Sequence, residues 1–201
     1  MIAIVDYGVG NLFSLASSFS HVGSEALVTG DEKIIKSADK IILPGVGAFP
    51  DAIKKLKEND LDKVIIEEVK KGKPLLGICL GMQMLFTKSY EFGVSSGLDL
   101  ISGEIKEIKP LIGNNKVPHI GWNSLDFRSD SKLFKYIKNG DYVYFVHSYS
   151  AQNVNSGVTA TTFYGSPLTA SVEKDNVYGT QFHPEKSGKV GLDILKAFTE
   201  I

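Results

Sequence analysis

The sequence predicts an α/β protein with a doubly wound, mostly parallel central sheet, flanking helices and a strand-rich second half, all in one domain over residues 1–201. Three observations predict it. Short apolar runs alternate with helical periodicity through the first half. One of those runs, Leu75-Leu76-Gly77-Ile78, breaks at Cys79 directly into a further helical pattern at Leu80, Met84 and Leu85. The second half is dominated by extended segments, with no repeat, low-complexity tract or linker to mark another domain.

Taken in order, residues 2–7 read as a buried strand. The following helix has Asn11 as its N-cap and sets Leu12, Leu15, Phe19 and Val22 on one face. Residues 25–29 and 40–43 are strands separated by a short polar helix or turn. Residues 50–71 are helical with a break near Asn59-Asp60, after which Leu61, Val64, Ile65, Glu68 and Val69 restart the period and Gly72 stops it. Lys55, Lys57, Lys63, Lys70 and Lys71 form the solvated face of this helix. The extended segments of the second half are 104–108, 142–149, 158–163, 168–172 and 177–182, with turns at Asn139-Gly140 and Lys174-Asp175-Asn176 and a closing helix over 189–198.

Composition narrows the function classes. With 43% hydrophobic residues, 201 residues can bury a substantial core. A net charge of −1 gives no general attraction to nucleic acid or to an anionic membrane. One cysteine makes no internal disulfide, which fits a reducing cytoplasm. Met1-Ile2-Ala3-Ile4-Val5 lacks a basic leader and is cut short by Asp6, so it reads as a strand rather than a signal peptide. No apolar run reaches the roughly 20 residues of a membrane span.

That single cysteine is the focus of the chemistry. Gly77-Ile78-Cys79-Leu80-Gly81 is a strand-to-helix turn with glycines two residues before and two after, the pattern of a nucleophile elbow. The start of the following helix points free N–H groups at the sulfur and favours its thiolate. A lone cysteine is otherwise most often a small buried hydrophobe. A thiol nucleophile needs a base, and His183-Pro184-Glu185 places a carboxylate two residues beyond an imidazole, on the same side of an extended segment that proline stiffens. Alone that segment reads as a surface ion pair. With the elbow it completes a Cys79-His183-Glu185 triad. Behind the strand at 40–43 lies Pro44-Gly45-Val46-Gly47. Its glycines let a peptide N–H near Val46 or Gly47 turn inward and join that of Leu80 as an oxyanion hole. No Gly-Lys-Ser/Thr follows, so this is not a phosphate-binding loop.

Beyond these segments the chain contains Asp6-Tyr7-Gly8-Val9-Gly10-Asn11, Met82-Gln83, Val117-Pro118-His119-Ile120-Gly121-Trp122-Asn123, Tyr144-Phe145-Val146-His147-Ser148-Tyr149 and Gln181-Phe182-His183-Pro184-Glu185-Lys186-Ser187. Together they resemble the class I (triad) glutamine amidotransferases. The first and third segments narrow the resemblance to the glutaminase-subunit family of imidazole glycerol phosphate synthases. The resemblance implies glutamine as substrate, with Gln83, Ser148 and Tyr149 among its contacts and no cofactor. It implies a partner: a (β/α)8-barrel cyclase subunit that receives the ammonia in histidine biosynthesis. Asn11, Pro118, Trp122, Tyr144 and Lys186 are the candidate contacts with that barrel. Residues 88–96 and 109–116 carry no motif of the family.

Several distinctive side chains have plainer readings. Tyr142, Tyr144 and Tyr149 at period two form one face of a strand. His119 and His147 are hydrogen-bonded structural histidines, since neither has a metal-ligand partner at suitable spacing. His21 ends a helix and does no chemistry. Three other functions compete. A cysteine peptidase or chaperone-like protein shares the elbow, but there a histidine directly follows the cysteine, where this chain has Leu80. A catalytically dead binding module would lack a triad member, and this chain keeps all three. The third alternative is the glutaminase of another ammonia-using synthase.

Overall fold

A computed structural model describes residues 1–201. The parallel half is built by β1 (Ile2–Val5), α1 (Leu12–His21), β2 (Ala26–Thr29), α2 (Glu32–Ser37), β3 (Lys40–Leu43), α3 (Phe49–Glu58), α4 (Leu61–Lys70), β4 (Leu75–Ile78) and the short α5 (Leu80–Met84). The strand-rich half adds β5 (Phe86–Ser89), β6 (Ser95–Ser96), β7 (Ile101–Glu107), β8 (His119–Ser124), β9 (Asp126–Phe127), β10 (Tyr142–His147), β11 (Tyr149–Gln152), β12 (Val158–Phe163), β13 (Pro167–Lys174), β14 (Val177–Thr180) and α6 (Gly188–Thr199).

The main sheet has the order β2-β1-β3-β4-β14-β13-β12-β9. Its first five strands are parallel and β13, β12 and β9 run antiparallel. Alternation sorts its side chains to two faces. Ala3, Val5, Ile41, Leu43 and Leu75 pack with Ile35, Leu56 and Ile65 of α2, α3 and α4. Ile2, Ile4, Ile42, Leu76 and Ile78 pack with Leu15 and Phe19 of α1 and Leu195 and Phe198 of α6. Strands β1, β3 and β4 are buried along both faces, which is why they are apolar without alternation. A second sheet, β11-β7-β5-β6, and a two-stranded ribbon, β10-β8, flank the main one.

The break expected near Asn59-Asp60 falls at Asp60, whose φ of 54° is left-handed, and two separate helices result. The polar connection after β2 is α2, with the Asp31 carboxylate accepting from the Lys33 N–H at 2.7 Å. Two expectations need correction. Asn11 stands at the N-terminus of α1, but its side chain makes no capping hydrogen bond. Residues 142–149 are not one strand: the chain leaves the ribbon after His147 and enters the second sheet at Tyr149. Tyr142 and Tyr144 therefore share a face, while Tyr149 belongs to another sheet. No helix is long and apolar enough to cross a membrane.

Candidate active site

Parallel strands β3, β4 and β14 end side by side, and the residues that follow each line one cleft of about 320 Å³. Val46, Gly47, Cys79, Leu80, Gln83, Ser148, Tyr149 and His183 all contribute to it, as does Pro118. Its size lies within the roughly 300–1,000 Å³ of small-molecule sites.

Cys79 occupies the turn from β4 to α5 with φ 55° and ψ −111°, a conformation that costs a non-glycine residue free energy. The strain sits on the cysteine itself. Gly81 serves a different need, close approach: a Cβ there would lie 1.8 Å from the Leu43 carbonyl oxygen. The glycine lets α5 sit directly against the end of β3, bringing the elbow beside the 44–47 loop. The thiol is 7% exposed. Helix α5 spans only five residues, so its dipole is much weaker than the sequence pattern implied.

His183 is held by Glu185 and faces the same cleft as Cys79. Its Nδ1 lies 2.7 Å from Glu185 Oε1, and both His183 and Cys79 line the cleft. A carboxylate oxygen only accepts, so Nδ1 carries the proton and Nε2 is left for the thiol. Burial alone would push the imidazole down, but the neighbouring Cys79 and the hydrogen-bonded Glu185 carboxylate outweigh it and hold His183 well above its ordinary value. Glu185 Oε2 is buried without a partner, so the carboxylate is spent on the imidazole alone. The His183 backbone is pinned too. Its N–H donates to the Tyr144 carbonyl at 3.0 Å, and Ser187 Oγ donates to its carbonyl at 2.6 Å. Ser187 Oγ also accepts from the Tyr144 N–H at 2.9 Å, tying the triad segment to β10.

The 44–47 loop is anchored at both ends and open at Val46 and Gly47. Tyr7 Oη donates to the Pro44 carbonyl at 2.7 Å, and Glu91 Oε2 accepts from the Phe49 N–H at 2.8 Å. Between these anchors Gly47 adopts φ +90° with nothing within 4 Å of a would-be Cβ, and Val46 is 41% exposed. The Leu80 N–H, in the first turn of α5, has no partner within its own helix. Glu91 also lines the cleft, as do Val146 and His147, and sequence reasoning missed it. It lies in a stretch without a motif, in the connection between the paired strands β5 and β6, and its carboxylate meets the Phe49 N–H. Burial, with Asp51 nearby, pushes its carboxyl up despite the Phe49 hydrogen bond.

Gln83 Nε2 donates to the Tyr149 carbonyl and to Gln181 Oε1, both at 3.0 Å. Both of its N–H groups are thus committed, and only its oxygen is left for a ligand. His119 and His147 are buried and hydrogen-bonded to each other at 3.0 Å. Burial pushes them down to about 4 and about 3, so both are neutral at neutral pH. Of the five expected docking residues, Trp122 and Tyr144 pair across the ribbon and meet edge to face, with ring centroids 6.2 Å apart. Lys186 is exposed on the segment against which α1 packs, and Asn11 precedes that helix. Phe13, Ile120 and Tyr142 are exposed apolar residues of the same elements that the sequence reading did not place among the docking contacts.

Residues 3–200 match the family model described as class-I glutamine amidotransferase. The chain belongs to the class-I glutamine amidotransferases. Among curated relatives of this amidotransferase, two named imidazole glycerol phosphate synthase subunit HisH are each 50% identical to it, covering 100% of this chain and 98% of their own. They come from Caldanaerobacter subterraneus subsp. tengcongensis and Methanothermobacter thermautotrophicus. A solved glutamine amidotransferase superposes with a TM-score of 0.76 at 16% identity, over 98% of this chain and all of that one. The PurLQS structure from Thermotoga maritima gives 0.75 at 20% identity, over 100% of this chain and 96% of that one. At those identities the likeness establishes the fold of the amidotransferase, and the family model establishes its activity on glutamine.

Proposed function

We propose that this amidotransferase is the glutaminase subunit of an imidazole glycerol phosphate synthase, acting through a Cys79-His183-Glu185 triad. The observation that carries the chemistry is that Cys79 and His183 line one cleft while Glu185 is hydrogen-bonded to the imidazole at Nδ1. The half-identical relatives over full length support the synthase assignment.

Cys79 thiolate attacks the side-chain carboxamide carbon of glutamine, and the oxyanion is received by the N–H groups of Leu80 and of the Val46–Gly47 loop. The His183 imidazolium protonates the departing nitrogen, which leaves as ammonia, and a glutamyl thioester remains. Neutral His183 then takes a proton from water as it attacks. The C–S bond breaks, its electron pair returns to sulfur and glutamate leaves. Glu185 orients the imidazole and supports its charge. Gln83 Oε1, Ser148 and Tyr149 contact the glutamine, and Glu91 is the carboxylate available to its α-ammonium group.

The ammonia passes to a (β/α)8-barrel cyclase partner in the cytoplasm. Its docking face is the outer side of the β8-β10 ribbon, where Trp122 and Tyr144 lie beside Ile120 and Tyr142, together with Asn11, Pro118 and Lys186 around the mouth. The test is glutamate release by the purified chain with and without the barrel cyclase. Release that depends on Cys79 and rises with the cyclase supports the reading. Release stimulated by an unrelated ammonia-using synthase, and not by the cyclase, points to the other assignment.

A further inference from the structure

Gln181, fully buried just beyond β14, has its Nε2 3.8 Å from Cys79 Sγ. The orientation of this amide is determined by its surroundings. The Tyr149 main-chain carbonyl can only accept, so Gln83 must turn its nitrogen toward it, and the same nitrogen faces Gln181. Gln181 therefore presents its oxygen to Gln83 and its N–H to the sulfur. Turned over, it would set two NH₂ groups against each other. The Tyr149 carbonyl is itself held from the other side by His147 Nδ1–H at 2.9 Å. Neutral His147 accepts at Nε2 from His119 Nδ1–H, and His119 Nε2 accepts from Asn123 Nδ2 at 3.3 Å. Every donor and acceptor in this chain of bonds has one consistent direction.

The sulfur has a specific need for such a donor. On its other side lies the Val146 carbonyl oxygen at 4.0 Å, which favours the protonated thiol and repels a thiolate. The one-turn helix α5 offers little dipole to offset it. We propose that Gln181 is a catalytic residue whose amide N–H holds the Cys79 thiolate, with Gln83 and the Tyr149 carbonyl as positioning groups that keep that N–H turned to the sulfur. The proposal rests on the reading of Cys79 as nucleophile. The N–H serves twice per turnover. It stabilises the attacking thiolate, then stabilises it again as the leaving group when water opens the thioester and the C–S electron pair returns to sulfur.

Cys79 is the only cysteine, so alkylation by iodoacetamide reports on this sulfur alone. Gln181→Met keeps the side-chain length and removes the donor. The expected result is an alkylation rate at neutral pH lower by about tenfold, with the pH of half-maximal reactivity moved upward and the high-pH plateau retained. Gln181→Glu shifts the profile further, because it sets a negative charge against the thiolate. Gln83→Met, which leaves Gln181 in place but unheld, shifts it less and in the same direction. A folded Gln181→Met protein with the wild-type profile overturns the proposal. If that variant does not fold, an unshifted Gln83→Met profile overturns it instead. The nucleophile reading fails separately, through glutamate release that survives Cys79→Ala, whatever the alkylation profiles show.

Discussion

At the scale of single residues, the partners of the proposed triad are unequal, and the inequality is measurable. In the proposed mechanism His183 makes both proton transfers, whereas Glu185 only orients it and supports its charge. His183→Ala is therefore the more damaging change, and its effect combined with Cys79→Ala is far less than additive; independent, equal losses would argue against a triad. The titration of His183 offers a second check. Its folded value is raised above the ordinary 6.5, so protonated His183 stabilises the fold fully below that pH, and the contribution is lost as pH rises through the raised value. Glu185→Gln can still accept from Nδ1–H but removes the negative charge that helps raise it. An NMR titration of the imidazole is expected to move downward by about one unit or more, and an unmoved titration would show that Glu185 does not govern His183. The buried pair His119 and His147 has the opposite sign. Lowered to about 4 and about 3, they favour folding above 6.5, and that contribution is lost as pH falls through the interval below it.

At the scale of elements, the site depends on how closely α5 and the 44–47 loop approach one another. Gly81→Ala places a carbon 1.8 Å from the Leu43 carbonyl, and backbone must move to relieve it. The expected loss is about 3 kcal/mol or more, read as a large fall in thermal midpoint; an unchanged midpoint would show that the elbow does not need this contact. Gly47→Ala meets no neighbour and costs only the strain of φ +90°, about 1 kcal/mol. It is expected to lower glutaminase activity much more than stability, because it biases the peptide proposed to offer the oxyanion donor. The elements that sequence alone made legible are those whose local pattern and burial agree. Strands β1, β3 and β4 are apolar because they are covered on both faces, and the elbow is announced by its glycines. The pieces that were not legible owe their existence to pairing rather than to a local pattern. β6 and β9 are two residues each, defined only by partners. The strand β8 is masked by Gly121 and Asn123. Glu91 enters the cleft through tertiary packing, and Gln181 meets Gln83 across 98 positions of sequence. The break at Ser148 escaped because no glycine or proline marks it, although the alternation of residues 142–147 stops there and the hydrogen-bonding partner changes.

At the scale of the whole molecule, the proposed docking ribbon is mechanically joined to the chemistry by two routes. Tyr144 on β10 holds the His183 main chain, and Asn123, His119 and His147 lead through the Tyr149 carbonyl to Gln83. A partner that orders this ribbon therefore acts on both the base and the surroundings of the nucleophile. Trp122→Ala, at a residue 55% exposed in the free chain, is expected to weaken cyclase binding by about thirtyfold or more while leaving the thermal midpoint nearly unchanged; undiminished affinity by titration calorimetry would move the docking face elsewhere. A chain that hydrolysed glutamine freely would waste it, and the unhindered Gly47 peptide allows an inactive resting orientation. One oxyanion donor brought into place is worth ~3 kcal/mol, enough for a hundredfold activation. The most direct test is glutamate release from glutamine by the chain alone, by the chain with the barrel cyclase, by that complex with cyclase ligand bound, and by the Cys79→Ala complex. Low activity alone, stepwise increases of about a hundredfold in total, and none in the Cys79→Ala complex are the predicted results. Undiminished release from Cys79→Ala, or no release from the wild-type complex, would contradict the account.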